Sequence, residues 1–257
     1  MNRLPLSQMA EIADEGARTG TAIAQFTNDY ELDVPDAYAV QALSIARRTA
    51  RGERVVGVKM GLTSRAKMAQ VGVDSVIWGR LTDAMMLADG APLSLGEYVH
   101  PRVEPEIAFL MERPLSGSVT GMQAMAAVGG VAAAAEVIDS RYENFKFALP
   151  DVIADNSSSS GFVVGEWCDP RTPIDNLGIA LSEDGRNQQV GSSAAILGNP
   201  VRSLVEAARM VAEAGLSLEP GWIVLAGGAT AAVPLAAGSS YRVSVEALGR
   251  VGFAVTD

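Results

Sequence analysis

The spacing of apolar residues along the chain changes at Gly52. Before it, apolar positions recur every three or four residues, the period of one face of a helix. Ser7 precedes Met9, Ile12, Ala13, Ala17, Ile23 and Phe26 and predicts an N-terminal cap, with Gly16 and Gly20 weakening the middle of the segment. Pro35-Asp36 predicts the start of a second helix. Val40, Leu43 and Ala46 form its stripe, and Arg47, Arg48 and Arg51 cluster toward its C-terminal end, where cations suit the helix dipole. Gly52 stops it.

Beyond Gly52 the pattern is one of short β-branched runs between turn residues. Val55–Val58, Glu104–Leu110, Val131–Ile138, Phe162–Val164 and Trp222–Ala226 predict strands. Tyr241-Val243-Val245 and Val251-Phe253-Val255 alternate with polar residues around Leu248-Gly249, which predicts a terminal hairpin. Thr120-Gly-Met-Gln123 has capping-box spacing and predicts a helix ended by Gly129-Gly130. Asn199-Pro200 predicts another, with Leu204, Ala207, Ala208 and Val211 buried and Gly215 after it. The expected fold class is α+β: a small helical region over 1–52, then a mostly β part over 53–257.

Composition narrows the function. The chain has 257 residues, 48% of them hydrophobic, and a formal net charge of −10. Such an acidic balance speaks against nucleic acid, whose phosphates require clustered Lys and Arg. A single cysteine, Cys168, cannot form an internal disulfide. The N-terminal residues lack the apolar run of a signal peptide, and no stretch has the ~20 charge-free apolar residues of a membrane span. These features predict a soluble cytoplasmic protein.

Hydrolase and nucleotide chemistries find little support. The only histidine, His100, precedes Pro101 at an expected strand start and reads as a surface or packing residue. Cys168 has no neighbour that would activate its thiol. No Gly-x-Ser-x-Gly elbow or phosphate-binding glycine loop occurs.

The carboxylates say more. Glu104 and Glu106 stand two apart before an apolar run, so a strand would project both from one face. Like charges that close require a proton or a cation between them, and an all-oxygen site suits Mg²⁺ or Mn²⁺. A solvated strand face is the plain alternative. Glu136 interrupts the apolar stretch Val131–Ile138, where a lone acid is costly unless paired or metal-bound. Lys59 sits likewise in Val55-Val-Gly-Val-Lys59-Met-Gly-Leu62: paired, poised for an anion, or packed by its stem with its head in water. Asp155-Asn-Ser-Ser-Ser-Ser-Gly161 and Gly227-Gly-Ala-Thr230 could approach a ligand or could be turn chemistry alone.

Taken together these residues resemble the fumarylacetoacetate hydrolase superfamily, in its branch of 2-oxo acid hydratases and decarboxylases. Lys59-Met-Gly-Leu-Thr-Ser64 resembles the family's lysine strand, and Pro101-Arg-Val-Glu104-Pro-Glu106-Ile-Ala-Phe109 its metal-binding strand. Glu136 stands in the place of the third ligand, and the serine loop and Gly227-Gly228 also have counterparts. Glu136-Val-Ile-Asp-Ser-Arg-Tyr-Glu-Asn-Phe-Lys-Phe147 is similar to the decarboxylase form of that segment. The hydratases carry an acid in a turn after the lysine strand; here that turn reads Val76-Ile77-Trp78-Gly79.

The resemblance implies a mixed β-roll under the helical layer and a Mg²⁺ or Mn²⁺ ion on Glu104, Glu106 and Glu136. The expected substrate is a small dianionic 2-oxo acid, 2-oxohex-3-enedioate, which loses CO₂. Lys59 would act as anion anchor or proton donor, and Ser158, Ser159, Gly228 and Thr230 would position the substrate. Homo-oligomerisation and a complex with the hydratase that consumes the product are further expectations. Pro105, unable to donate a ladder hydrogen bond, predicts an edge or bulged strand.

Overall fold

The computed structural model describes residues 4–64 and 75–257; residues 1–3, part of the expected helical segment, lie outside that range. Three helices come first: α1 (Leu6–Thr19), α2 (Phe26–Asp29) and α3 (Val34–Ala50). Ser7 does not cap α1. It lies inside the first turn, and the end follows Pro5 without a side-chain cap. Gly20 takes a left-handed conformation (φ 59°) and ends the helix, so Ile23 and Phe26 belong to the next segment. α3 starts as its sequence predicts, with the Asp33 carboxylate accepting from the Asp36 amide and a proline in the first turn.

The remaining elements are β1 (Val55–Gly61), β2 (Ile77–Thr82), β3 (Met86–Leu87), β4 (Pro92–Ser94), β5 (Arg102–Met111), α4 (Gly121–Ala126), β6 (Val128–Ile138), α5 (Leu149–Ala154) and β7 (Ser159–Val164). After them come β8 (Gly178–Glu183), β9 (Arg186–Ser192), α6 (Pro200–Glu213), β10 (Ile223–Leu225), β11 (Val233–Pro234), β12 (Ser240–Val245) and β13 (Gly249–Thr256). They form two sheets. One runs β2-β1-β10-β5-β6-β7-β3, with β11 also on β5; the other runs β4-β13-β12-β8-β9. Each mixes directions: β1 is parallel to β10, β3 to β7 and β4 to β13, while the other pairs are antiparallel. The fold is α+β, with mixed sheets as expected.

Two expectations about these strands need correction. Gly129 and Gly130 do not end α4, which carries the expected capping box at Thr120; they already lie within β6. Pro105 is not at an edge. β5 pairs with β6 along its length, in register from Arg102 to Leu110. The Pro105 carbonyl accepts from the Ala229 amide, so its nitrogen also faces that side and the missing N–H leaves the β6 ladder intact.

Alternation along β5 divides the interior. Val103, Ile107 and Phe109 join the main core with Leu181, Val243 and Val251 of the second sheet. The opposite face holds Ala108 with Ala132, Ala134, Phe162 and Leu225. Those alanines leave room on the face that carries Glu104, Glu106 and Glu136. The helical layer packs its own core on Ile77, Tyr142, Val152 and Ile153.

Val76-Ile77-Trp78-Gly79 is not a turn; Ile77 opens β2 and is buried. The outer side of β2 is met by side chains. The Trp78 amide donates to the Tyr38 hydroxyl, and its carbonyl accepts from Gln41 and from the Ser157 hydroxyl. Asn156 pairs with both the amide and the carbonyl of Arg80.

A buried cluster of carboxylates and a lysine

Glu104 and Glu136 are direct cross-strand partners, and Glu106 lies opposite Ala134. Partners of this kind have Cβ atoms ~5 Å apart, so the β5–β6 register alone sets two carboxylates side by side. Glu106 follows on the same face. All three are buried, and an oxygen from each lies within 4.8 Å of the others.

Lys59 arrives from three strands away. It pairs with Leu225 of β10, whose own neighbour is Ala108 of β5. Three strand spacings come to roughly 14 Å, farther than a lysine and a glutamate reach across a flat sheet. Nonetheless Lys59 Nζ stands 3.0 Å from Glu136 Oε2, which requires the sheet to curl around this face. Lys59 Nζ also donates to the Ser157 carbonyl at 3.1 Å and is 3% exposed. Of the readings left open for Lys59, the structure shows the paired one, with an ammonium held inside the cluster.

Burial pushes the Glu106 carboxyl well above the usual range, and the Glu136 charge adds to it, while Lys59 opposes. Glu136 is raised for the same first reason, with Lys59 the chief opposing influence. Glu106 Oε2 accepts from the Gly227 amide at 2.7 Å. Glu106 Oε1 and Glu136 Oε1 are buried without a hydrogen-bond partner among the described residues. Buried acceptors of this kind are costly, and an oxygen-only cluster with two of them matches the needs of a hard divalent cation.

The serine loop meets the cluster through its backbone. Asn156, Ser157 and Ser158 all have left-handed φ values of 49°, 52° and 60°, and this turn aims the Ser157 carbonyl at Lys59. Ser158 is buried, its carbonyl accepting from Asp139, and the buried Ser159 hydroxyl has no partner among the described residues. Asp155 anchors the loop on Arg141, at 2.5 Å, and its carboxyl is pushed up to about 6 by burial against the pull of Arg141. Gly228 is buried beside Gly227. Thr230 is half-buried; its hydroxyl donates to the Ala231 carbonyl, and its methyl lies at Gly191 of β9.

The contacts made by Gly227 N–H and Ser157 C=O were not singled out from sequence, since backbone groups leave no side-chain signature. His100 packs against Phe145 with ring centroids 6.2 Å apart, and Cys168 pairs through its backbone with Val131. Asp139, three residues beyond Glu136, is buried and accepts from the Val99 and His100 amides.

No family model matches the chain. It is 54% identical over 253 residues to a 4-oxalocrotonate decarboxylase of Pseudomonas sp., covering 98% of this chain and 99% of that protein. Identity to a 2-keto-4-pentenoate hydratase of Burkholderia vietnamiensis is 35%, with 98% of each chain covered. Among solved structures, 4-oxalocrotonate decarboxylase from Pseudomonas putida G7, complexed with magnesium and adipate, superposes with a TM-score of 0.95 at 37% identity, covering 99% of this chain and 100% of that one. A fumarylacetoacetate hydrolase from Exiguobacterium antarcticum, at 16% identity and a TM-score of 0.61 over 79% of this chain and 76% of that one, shares the fold. The chain belongs to the family of 4-oxalocrotonate decarboxylases and 2-keto-4-pentenoate hydratases, and its fold is that of the fumarylacetoacetate hydrolases.

Proposed function

We propose that the protein is a carboxy-lyase that removes CO₂ from 2-oxohex-3-enedioate (4-oxalocrotonate), giving 2-hydroxypenta-2,4-dienoate in the meta-cleavage breakdown of aromatic compounds. The observation that carries this reading is the buried Glu104, Glu106, Glu136 and Lys59 cluster, in a chain 54% identical to a protein of that activity. Glu104, Glu106 and Glu136 would hold Mg²⁺ or Mn²⁺. When bound, the ion supplies Lewis-acid charge where the 2-oxo oxygen becomes negative.

The chain's own groups supply the rest. Breaking the C5–C6 bond sends its electron pair through the C3=C4 double bond to the C2 oxygen, leaving a dienolate that takes one proton. Three carboxylates cancel a divalent ion with one negative charge to spare, and the substrate adds two more. Lys59 is the positive group that meets this excess, as anchor for a carboxylate or donor of the proton. Ser158, Ser159, Gly228 and Thr230 complete the reading as substrate-positioning groups, and the buried alanine face around Glu106 excludes water from the dienolate.

A hydratase must add water to the diene. Where the hydratase pattern has an acid, this chain has Ile77, packed against Gly61 and buried among apolar residues. That favours decarboxylation. In the same reading 1–52 serves as a covering layer and 53–257 carries the catalytic groups. The enzyme works in the cytoplasm as a homo-oligomer and hands its product to a partner hydratase.

The test is CO₂ release from 2-oxohex-3-enedioate by the purified protein with Mg²⁺, with EDTA, and in Glu106→Gln. Release that stops with chelator, and falls at least about 100-fold in the variant alongside Mn²⁺ affinity, is expected; loss of even an outer-shell partner costs ~10–100-fold. Full activity after metal removal refutes the reading.

A further inference from the structure

We propose that Thr63 is a substrate-contacting residue, its hydroxyl donating a hydrogen bond to an oxygen of the 2-oxo acid head (the C1 carboxylate or the C2 oxo group). The proposal deepens the decarboxylase reading and rests on it for the substrate class.

Thr63 lies two residues beyond β1, off the carboxyl ends of the parallel pair β1 and β10, the place where ligands bind in open sheets with parallel strands. It is 1% exposed, and its Oγ1 finds no partner among the described residues. A buried hydroxyl left in that state is costly, and each such case in a native protein calls for a physical reason. Its position is tightly determined. Leu62 just before it takes a left-handed φ of 55°, rare for a residue with a branched side chain. The Thr63 carbonyl accepts from the Leu197 amide at 2.8 Å.

The side chain is pressed against Gly227, where an added Cβ would come to 2.1 Å from Thr63 Oγ1. Gly227 is the residue whose amide holds Glu106 Oε2. One glycine therefore separates an unused hydroxyl from a metal-competent carboxylate. The unused groups are of complementary kinds. Glu106 Oε1 and Glu136 Oε1 are acceptors and call for a cation; the Thr63 hydroxyl can donate and calls for an anionic or carbonyl oxygen brought in with that cation. A 2-oxo acid chelating the ion through C1 and C2 carries such oxygens. Backbone strain concentrated at Leu62, immediately before the hydroxyl, fits a residue held in place for a ligand.

The test uses the Mg²⁺- or Mn²⁺-loaded protein with Thr63→Val, which keeps the branched shape against Gly227, and Thr63→Ser, which keeps the hydroxyl. The probe is 2-oxoadipate, which has the same head and both carboxylates but no double bond through which CO₂ can be lost. Calorimetry should show about tenfold or weaker 2-oxoadipate binding to the valine variant, binding within about threefold of wild type for the serine variant, and unchanged Mn²⁺ affinity in both. Decarboxylation kcat/KM should follow the same order. Wild-type 2-oxoadipate affinity in the valine variant overturns the assignment, as does Mn²⁺ affinity that falls in step with it. If the wild type releases no CO₂ yet binds 2-oxoadipate through Thr63, the decarboxylase reading fails and the contact stands.

Discussion

Replacing Lys59 with methionine separates the lysine's charge from its volume, since methionine fills the space of the stem without an ammonium. In the metal-free protein Lys59 is the cation that faces Glu136, at 3.0 Å, and both side chains are almost completely buried. At an effective dielectric of ~20 that separation corresponds to about 5 kcal/mol of attraction, most of it offset by the desolvation of both ions. Removing one partner leaves the desolvated carboxylate uncompensated, and such losses run ~3–5 kcal/mol.

The penalty depends on pH with a definite sign. Burial already raises Glu136, and Lys59 is the main influence holding it down, so the variant's Glu136 lies higher still. A raised acid binds a proton in the folded state that the unfolded chain has released, and folding therefore gains as pH falls. Urea unfolding in EDTA should show Lys59→Met less stable than wild type by about 3–5 kcal/mol at pH 8. The gap should narrow by up to ~1.4 kcal/mol per pH unit toward pH 5.5. Saturating Mg²⁺ should recover part of the loss, because it brings positive charge to the same oxygens. Equal midpoints at pH 8, or a gap of constant size from pH 8 to 5.5, would show that the ammonium does not compensate these carboxylates.

Two further outcomes follow from the surroundings of the cluster. Gly227→Ala combines a left-handed φ of +106° with a Cβ placed 2.1 Å from Thr63 Oγ1; it should cost about 2–5 kcal/mol by thermal unfolding, and a Tm within a degree of wild type would contradict the geometry. Asp155, pushed up to about 6 from its ordinary value of 3.8 by burial, binds its proton more tightly when folded, so its contribution favours folding at low pH and fades as pH rises from about 4 to 6. Asp155→Asn should remove from the stability profile a fall of at most about 3 kcal/mol across that window; an unchanged slope in denaturation at pH 4, 5 and 6 would refute it.

The features that lead to the cluster are ones a sequence displays directly. Glu104 and Glu106 obey the two-residue period of a strand, and Glu136 and Lys59 are ions within apolar runs. What places them together, the β5–β6 register and the curl that brings Lys59 across three strands, depends on long-range pairing with no local signature. Polar strands were missed for a related reason: β9, Arg-Asn-Gln-Gln-Val-Gly-Ser, is an edge strand with little apolar alternation to reveal it. Val76–Gly79 was expected as a turn from the resemblance to the hydratases, which have one at that place. Yet Gly79 serves a packed strand, where a Cβ would meet the Asn156 carbonyl oxygen at 2.4 Å. Pro105 misled as well, since its harmlessness depends on which neighbour its nitrogen faces.

The side chains along β2 have a bearing on solubility. An unpaired strand margin is a template onto which another chain can add and start ordered aggregates. Among the described residues that margin is closed by a few polar groups from Tyr38, Gln41, Asn156 and Ser157 and not by another strand. The protection is therefore only as durable as α3 and the serine loop. Substitutions that loosen either would show first as self-association at high protein concentration, well before the sheet itself comes apart.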